Sequence, residues 1–405
     1  MRLTPVMLAL LLALSPGAVA VQASAPTAPA PAQNEDDSIR PGSDANTTSV
    51  MMLGAVPEQT GFDAPSMALG SSLAIDRSGV ESKLSVAVLD EKLRNAETIE
   101  QKHQILVRFQ YRIENRIISL KARERQSTQA FSNGTISEAQ YLRTLGRIDA
   151  EAEQLRSIAL ALEERSRNVR GLSMSSLVST VDGKLATLEG PVRDRISRSL
   201  HGESPTERVF VATADTGVVL STIAGDTYVR EIVRHDYRNP SESGSLTLLE
   251  AQQAVYERYT WANNNPSRGT STSPYGTTNV FSVTVKHPHG SFVAYLDGGT
   301  EKVFKEIQHK RLTGDTPLPT GPSVTNTSEN LTVAVNRTYA GGPLRVELTN
   351  ETGAPVSGEV RIDGELVGRT NADGFLWTLS PADRFEVSAS YDFRTVNLTA
   401  TPVQS

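Results

Sequence analysis

The stretch ILVRFQYRIENRIISL, residues 105–120, carries large apolar side chains that recur every seven positions. The residues that define this apolar face are Ile99, Leu106, Phe109, Ile113, Ile117 and Leu120. Such a repeat is typical of a long amphipathic helix that packs against another helix. We therefore predict a helix over residues 78–130.

A second stretch, LRTLGRIDAEAEQLRSIALAL at residues 142–162, has apolar residues spaced by three and four. Between the two stretches, Ser132, Asn133 and Gly134 form a turn signal, and Thr135 or Ser137 can cap the second helix. Two long helices joined by a tight polar turn are expected to lie antiparallel. Residues 78–170 are therefore predicted to be an antiparallel coiled-coil helical hairpin.

The N-terminus has the pattern of an export signal. Arg2 is the only charge before the apolar run of residues 6–14, and residues 18–20 are small enough for a cleavage site. Pro16 and Gly17 interrupt the run before it reaches membrane length. We expect a secretory signal peptide over residues 1–20, with an uncleaved anchor helix as the alternative. The expected location is secreted or at the cell surface.

Acceptor sites for N-linked sugar are spread along the chain. Each is an asparagine that precedes a non-proline residue and then Ser or Thr: Asn46, Asn133, Asn326, Asn330, Asn336, Asn350 and Asn397. In an exported chain these positions are glycosylation candidates on exposed turns and edges. We expect the sites at 326, 330 and 336 to be occupied before 397, because the former follow an open linker and the latter lies in a strand.

Composition narrows the function classes. The 405 residues contain no cysteine, so disulfides and thiolate metal sites are excluded. A net charge of -6 disfavours nucleic-acid binding, and basic residues scattered among acids indicate solvated helix surface. Residues 21–77 are rich in Ala, Pro, Ser and Thr with few aromatics, which predicts a disordered linker.

Residues 171–312 are predicted to be an α+β domain. Strands are expected over residues 208–214, 218–223, 228–234, 280–286 and 291–297, and an amphipathic segment over residues 302–310. Thr247 opens a helix, and Glu250 completes its capping box.

The motifs LTLLEA (246–251) and AYLDGGTEKV (294–303) within this domain resemble those of the PepSY module, over residues 246–308. Glu301 stands where that family usually has glycine. The resemblance implies that the domain binds or restrains a peptidase, or serves envelope assembly, with no catalytic residues of its own.

The C-terminal part is predicted to be a β-sandwich. After a Pro- and Gly-containing linker at residues 313–329, apolar residues alternate strictly in short runs separated by turns, as in sandwich domains. The motifs GAPVSG (353–358) and GRTNADG (368–374) resemble the transthyretin-like module of carboxypeptidase regulatory and surface proteins. Residues 330–405 are therefore predicted to be an Ig- or transthyretin-like sandwich. The chain as a whole resembles secreted proteins of halophilic archaea.

Few residues are candidates for catalysis or for metal binding. His287 and His289 are two residues apart, so in a strand their side chains would point to the same face and both could bind a metal ion. A third ligand is not evident. Asp297 can cap its own turn or offer oxygens to calcium, and we favour the cap. Neither Gly-x-Ser-x-Gly nor His-Glu-x-x-His occurs. We predict no catalytic, cofactor-binding or metal-ligating residues, and treat His287, His289 and Asp297 as a candidate binding turn.

The sequence thus predicts a multi-domain protein: a long antiparallel α-helical coiled-coil hairpin, an α+β domain and a C-terminal β-sandwich. Its expected function is that of an exported, glycosylated surface or secreted protein, not an enzyme, that acts by noncovalent binding or scaffolding at the cell envelope. The expected partner is an envelope or secreted protein or a surface polymer, with no nucleic acid, no cofactor and no membrane span after signal cleavage. The alternative is a regulator or inhibitor of a secreted peptidase that acts through the PepSY-like domain.

Overall fold

The computed structural model describes residues 39–40, 49–313, 316 and 322–403. These residues form a helical N-terminal region, a sheet-rich middle and a C-terminal pair of antiparallel sheets, so the expected multi-domain organisation is observed. The predicted signal peptide and Asn46 lie outside the described residues.

The helical region starts earlier than the sequence predicted and is interrupted once. Its helices are α1 Leu69–Arg94, α2 Ile99–Ser132, α3 Glu138–Ser166, α4 Leu177–Leu185 and α5 Pro191–His201. The prediction of one helix from residue 78 to 130 is wrong, because Thr98 and Gln101 form a capping box that starts a new helix. Ser137 caps α3 in the same way with Gln140.

The helices α2 and α3 share an apolar core along the predicted faces. Leu106, Ile113, Ile148 and Leu155 are buried in one cluster, to which α1 and α4 also contribute side chains. The two helices are therefore part of a larger helical layer and do not stand alone as a hairpin. In the described part of the chain, no helix is both long and apolar enough to cross a bilayer.

The middle region is organised around an eight-stranded antiparallel sheet, preceded by a short pair of strands, β1 Ile39–Arg40 and β2 Val50–Met51. The sheet strands are β3 Gln59–Asp63, β4 Val209–Ala214, β5 Gly217–Ala224, β6 Thr227–Arg234, β7 Ser271–Pro274, β8 Val280–His287, β9 Gly290–Asp297 and β10 Lys302–Arg311. Their order is β3-β4-β5-β6-β10-β9-β8-β7.

Two sequence predictions are corrected by this sheet. The disordered linker predicted over residues 21–77 includes β3, which pairs with β4, and the first turns of α1. The amphipathic segment predicted at residues 302–310 is β10, which pairs with β6 and β9 on its two sides. A strand in this position is buried on both faces, so its sequence does not show a simple alternation.

Different helices pack on the two faces of the sheet. Helices α2, α3 and α5 pack apolar residues such as Phe131 and Ile196 on one face, against Val209 and Val229. The opposite face is covered by α6 Leu248–Arg258 and α7 Thr260–Asn264, with Met51 from the N-terminal side. A short 3₁₀ helix, His235–Tyr237, follows β6.

The C-terminal region consists of two four-stranded antiparallel sheets. One contains β11 Val324–Ser328, β12 Leu331–Asn336, β13 Pro343–Asn350 and β16 Phe375–Leu379, and the other contains β14 Glu359–Ile362, β15 Glu365–Arg369, β17 Phe385–Tyr391 and β18 Arg394–Ala400. Side chains from both sheets share one apolar core, as expected for a sandwich. Strand β11 lies inside the predicted linker of residues 313–329, which is a further correction.

The sandwich packs on the face of the large sheet that α6 and α7 also cover. Leu379 belongs to the apolar cluster of that face, and the hydroxyl of Ser221 donates to the carbonyl of Gly341 at 2.6 Å. Arg208 and Glu365 form an ion pair at 2.7 Å across the same boundary. The middle sheet and the sandwich are therefore joined by both apolar and polar contacts.

Candidate functional site

A cleft of about 690 Å³ opens between α2, α4 and two loops of the middle domain, residues 238–244 and 274–281. Glu114, Ile117, Ile118 and Lys121 line it from α2, and their spacing of three and four places them on one helix face. Ile118 is 62% exposed, which is high for an isoleucine in a recess. The cleft thus combines apolar walls with charged side chains.

Lys121 supplies an unpaired positive charge in this cleft. Among the described residues, none accepts a hydrogen bond from its ammonium or forms an ion pair with it. The pKa of Lys121 is lowered to about 8, chiefly by burial and in part by the positive charge of Arg238, while Glu124 acts in the opposite direction. The lysine is therefore partly desolvated but still protonated at neutral pH.

Arg238 is the second cation that lacks an ion pair. Its guanidinium lies over the ring of Phe304 at 4.9 Å, and Nη1 donates to the carbonyl of Gly183 at 3.2 Å. Within the described part of the chain its buried Nε has no hydrogen-bond partner. Burial lowers the pKa of Arg238, and Asp297 partly offsets that effect. An anion in the cleft would compensate both cations.

The third cation of the cleft, Lys184, is already paired. Its ammonium lies 3.1 Å from the carboxylate of Glu114. The cleft therefore retains the charge of Lys121 and Arg238 as its net positive contribution, partly balanced by Glu242 on the rim.

The candidate residue Asp297 fixes a turn beside this cleft. Its Oδ1 accepts hydrogen bonds from the N–H groups of Gly299 and Thr300 at 2.9 and 3.1 Å. The hydroxyl of Thr300 then donates to the carbonyl of Tyr237 at 2.7 Å, next to Arg238. Asp297 therefore has the local capping role that its sequence context favours.

The two candidate histidines lie at the other end of the same hairpin. His287 pairs with Gly290 at the start of β9, whereas Asp297 ends that strand seven residues later, which corresponds to about 24 Å. His287 and His289 are brought together by Trp261, whose ring centroid is 5.5 and 5.6 Å from theirs. The prediction of one binding turn is therefore wrong, because the two histidines and Asp297 lie at opposite ends of the hairpin.

His287 is buried beneath Trp261, with 4% of its surface exposed. Its two ring nitrogens have no hydrogen-bond partner among the described residues. Burial lowers the pKa of His287 to about 4, with Lys310 and His289 adding to the effect, so the ring is neutral at neutral pH. The described residues contain no group of three or more His, Cys, Asp or Glu side chains arranged to hold a metal ion.

A buried ion cluster behind the cleft holds α2 on the sheet. The guanidinium of Arg193, fully buried, lies 2.7 Å from Glu124 of α2 and 3.1 Å from Glu231 of β6. Glu124 comes one turn after Lys121, so this cluster fixes the helix that carries the cleft lysine. The prediction that the scattered basic residues lie on a solvated surface is wrong for Arg193, which is fully buried. A carboxylate inside an apolar strand, as in VREIV at residues 229–233, is the signal that could have revealed it.

Comparisons with known families divide the chain into three matched segments. Residues 1–205 match a family model described as a domain of unknown function, DUF7096, and residues 209–314 match a family of unknown function, DUF7094. Residues 322–398 match an archaeal fibronectin-III type-like domain. Curated proteins and solved structures give no match. The matches indicate an archaeal multi-domain protein, and no PepSY or transthyretin-like family is among them.

Proposed function

We propose that this chain, which belongs to the DUF7096 family, is an exported and glycosylated protein of the archaeal cell surface or its surroundings that acts by noncovalent binding and scaffolding. The observation that carries the proposal is the cleft in which Lys121 and Arg238 present positive charge without an ion pair. A buried charge without a partner in its own chain is unfavourable, and an oppositely charged group of a ligand would stabilise it.

The chemistry of the lining favours a carboxylate-bearing peptide segment as the ligand. Lys121 and Arg238 are placed for the carboxylate, and the hydroxyls of Ser243 and Thr277 can bind backbone groups. Ile118 and the prolines of the rim suit aliphatic side chains. We therefore propose that the partner is an acidic segment of an envelope or secreted protein.

Export and glycosylation enter the proposal from the sequence. The apolar run after Arg2 and the small residues at 18–20 support a signal peptide, and the sequons support surface sugar. Of the sequon asparagines in the described residues, Asn133, Asn326, Asn330 and Asn397 are exposed. In this proposal the paired helices α2 and α3 act as a stiff antiparallel element that presents one wall of the cleft.

A second role, regulation of a secreted peptidase, is supported by the PepSY-like order of the middle domain. Helix α6 starts with the capping box of Thr247 and Glu250 and precedes the hairpin β8–β9, as in that module. The same cleft would then hold an acidic segment of the peptidase. The two roles differ in the partner, not in the binding chemistry.

Binding is tested with the full mature chain and with acidic peptides ending in a free carboxylate, measured by calorimetry. We expect binding that weakens as salt is raised, because added ions screen the cleft cations. Lys121→Gln should weaken it by about tenfold or more, whereas Lys102→Gln, on the same helix but outside the cleft, should leave it unchanged.

Capture from envelope extracts and culture supernatant then separates the two roles. Recovery of an envelope protein in a Lys121-dependent manner supports scaffolding, and recovery of one stoichiometric peptidase supports regulation. Equal capture by the wild type and Lys121→Gln would contradict the cleft as the binding site.

A further inference from the structure

Residues 49–54, SVMMLG, lie on the large sheet without being a strand of it. Met51 and Leu53 belong to the apolar cluster on the face that α6 and α7 cover, and both are buried. In the part of the chain that the structure describes, the strand partner of Val50–Met51 is β1, whereas the edge strand of the large sheet is β3. A buried segment outside the sheet must satisfy its backbone groups in another way.

Side chains of two central strands, β6 and β10, satisfy the backbone of this segment. Glu306 accepts a hydrogen bond from the N–H of Met51 at 2.9 Å, and Arg230 donates to the carbonyl of Met51 at 2.7 Å. Nε2 of Gln308 donates to the carbonyl of Ser49 at 2.8 Å. Arg230 is paired with Gln308 across the two strands, and Glu306 lies two residues before Gln308, so the three side chains point to one face.

Contacts of the same kind continue to the end of the segment. Nη1 of Arg234 donates to the carbonyl of Met52 at 3.1 Å, and the hydroxyl of Thr216 donates to the carbonyl of Leu53 at 2.7 Å. In a peptide-binding groove, main-chain hydrogen bonds of this kind give affinity, and pockets for side chains give specificity. We call the surface that these side chains form the peptide groove, and its residues are Thr216, Arg230, Arg234, Glu306 and Gln308.

The peptide groove is held in shape by contacts of its own. Glu306 forms an ion pair with Arg230 at 3.3 Å. The same carboxylate accepts hydrogen bonds from the hydroxyl of Tyr259 at 2.6 Å and from Nε2 of Gln308 at 2.9 Å. Arg230 also lies over the ring of Tyr339, 5.6 Å from its centroid. These contacts do not involve residues 49–54, so the groove is preorganised for a peptide.

Two buried polar atoms of the peptide groove are not used by residues 49–54. Nε of Arg230 and Oε1 of Gln308 have no hydrogen-bond partner among the described residues. A buried donor or acceptor without a partner is unfavourable. A ligand that offers an acceptor to the arginine and a donor to the glutamine would therefore bind more tightly than the chain's own segment.

We propose that the peptide groove is a binding site for an extended apolar peptide, and that residues 49–54 are its resident ligand, which a peptide of another chain can replace. The fitting ligand carries apolar side chains at two alternate positions, as Met51 and Leu53 do, and is bound through its main chain. Residues 54–56, which lead from the groove towards β3, are exposed, so the segment can leave without breaking the sheet. The groove shares no residue with the cleft of Lys121.

A protease site inserted between Ala55 and Val56 of the full mature chain separates the segment from the body by a single cut. The probe is a fluorescent peptide of residues 39–55, which contains β1 and β2. We expect the cut chain to exchange its fragment for one equivalent of this peptide. The uncut chain should bind it at least about tenfold more weakly, because its tethered segment competes at an effective concentration on the order of millimolar.

Variants of the peptide test which side chain enters the groove. Met51→Asp in the peptide should weaken binding by about a hundredfold or more, because a charge enters a fully buried position. The matched control is Ala55→Asp, which adds the same charge at an exposed position and should bind like the parent peptide.

Two substitutions in the cut chain test the groove itself. Gln308→Met removes the hydrogen bond to the carbonyl of Ser49 and should weaken peptide binding by about threefold to tenfold. Lys121→Gln, in the separate cleft, should bind the peptide like the wild type. Circular dichroism of each cut chain, before and after exchange, verifies that it is folded.

Three results would overturn the proposal. The first is a cut chain that loses its structure when the fragment leaves and does not recover it with added peptide, which would make residues 49–54 a part of the core and not a ligand. The second is equal binding by the cut and uncut chains, or undiminished binding of the Met51→Asp peptide, which would place the probe elsewhere. The third is a cut chain that retains its fragment and takes up no peptide over days.

Discussion

The hydroxyl of Tyr228 donates a hydrogen bond to the carbonyl of Gly341 at 3.0 Å, across 113 positions of sequence. Tyr228 lies in the middle of the large sheet, and Gly341 lies in the loop that leads into β13 of the sandwich. Both groups are buried, and the same carbonyl also accepts from the hydroxyl of Ser221 at 2.6 Å, so two side chains of the sheet bind this loop of the sandwich. The sandwich is therefore a fixed part of the molecule and not an appended module on a free linker.

This docking predicts a position-specific effect of adding one methyl group. Gly341 has φ +70, and a Cβ there would lie 2.3 Å from the ring of Phe210. Gly341→Ala should lower the free energy of unfolding by about 2 to 4 kcal/mol, from left-handed backbone strain and overpacking together. Urea unfolding followed by circular dichroism measures the loss.

The matched control is Gly353→Ala. Gly353 has a similar φ of +78, but no atom lies within 4 Å of a Cβ at that position. It should lose only about 1 kcal/mol through backbone strain. Equal losses in the two variants would mean that contact with the sheet contributes nothing at Gly341.

Removal of the buried arginine should be strongly destabilising. Arg193→Met leaves Glu124 and Glu231 buried without their cation, which typically costs about 3 to 5 kcal/mol. Burial raises the pKa of Glu231 even with Arg193 present, and without it the pKa should rise further.

A carboxyl whose folded-state pKa is raised stabilises the fold at low pH and loses that contribution as pH rises through the folded-state pKa. Arg193→Met should therefore recover part of its loss at pH 5 relative to pH 7. Arg167→Met, which removes a 67% exposed partner of Glu163, serves as the control and should cost below about 1 kcal/mol. A loss for Arg193→Met that is small and independent of pH would contradict the role of the cluster.

Lys121 should make both stability and ligand binding depend on pH near 8. Its charged form is disfavoured in the fold, so Lys121→Met should raise the free energy of unfolding at pH 7 by about 1 to 3 kcal/mol. The sign follows from the lowered pKa: between about pH 8 and the ordinary lysine value the unfolded chain holds more protons, so the wild type gains stability as pH rises.

The advantage of Lys121→Met should accordingly shrink as pH rises from 8 to 10. In the same interval, affinity of the wild type for an acidic peptide should fall, since the neutral amine does not attract a carboxylate. Thermal unfolding and calorimetry at a series of pH values provide the two readouts. A Lys102→Met control should show neither trend.

Sugar occupancy should follow access to the side-chain amide. Asn133 is exposed after α2, and Asn330 is exposed in the turn between β11 and β12. The Nδ2 of Asn326 instead donates to the carbonyl of Asn397 at 2.7 Å, and that of Asn336 donates to Glu347 at 3.2 Å.

We therefore expect occupancy at Asn133 and Asn330 before Asn326 and Asn336, which revises the order expected from an open linker. Glycopeptide mass spectrometry of protein from its native host measures each site. Full occupancy at Asn326 with none at Asn330 would contradict the argument.

Local patterns allowed part of the fold to be predicted from the sequence. The buried faces of α2 and α3 follow the three-four spacing that includes Leu106 and Leu155, and the helix starts at Ser137 and Thr247 follow their capping residues. These features depend on side-chain period and on backbone groups a few residues away, so a single sequence contains them. The candidate turn at Asp297 belongs to the same class, because its hydrogen bonds reach only two and three residues ahead.

The periods of the helices and strands, the absence of disulfides and the positions of the sequons could all be read from the amino-acid sequence, because each depends on residue type and near neighbours. The burial of Arg193 follows only from the folded chain, since its partners lie 69 and 38 positions away. The same holds for the position of Lys121 in a cleft and for the exposure of Leu69, Leu73 and Leu84 on α1. The free energy of a charged or apolar side chain depends on what surrounds it, and for these residues the surroundings come from distant parts of the chain.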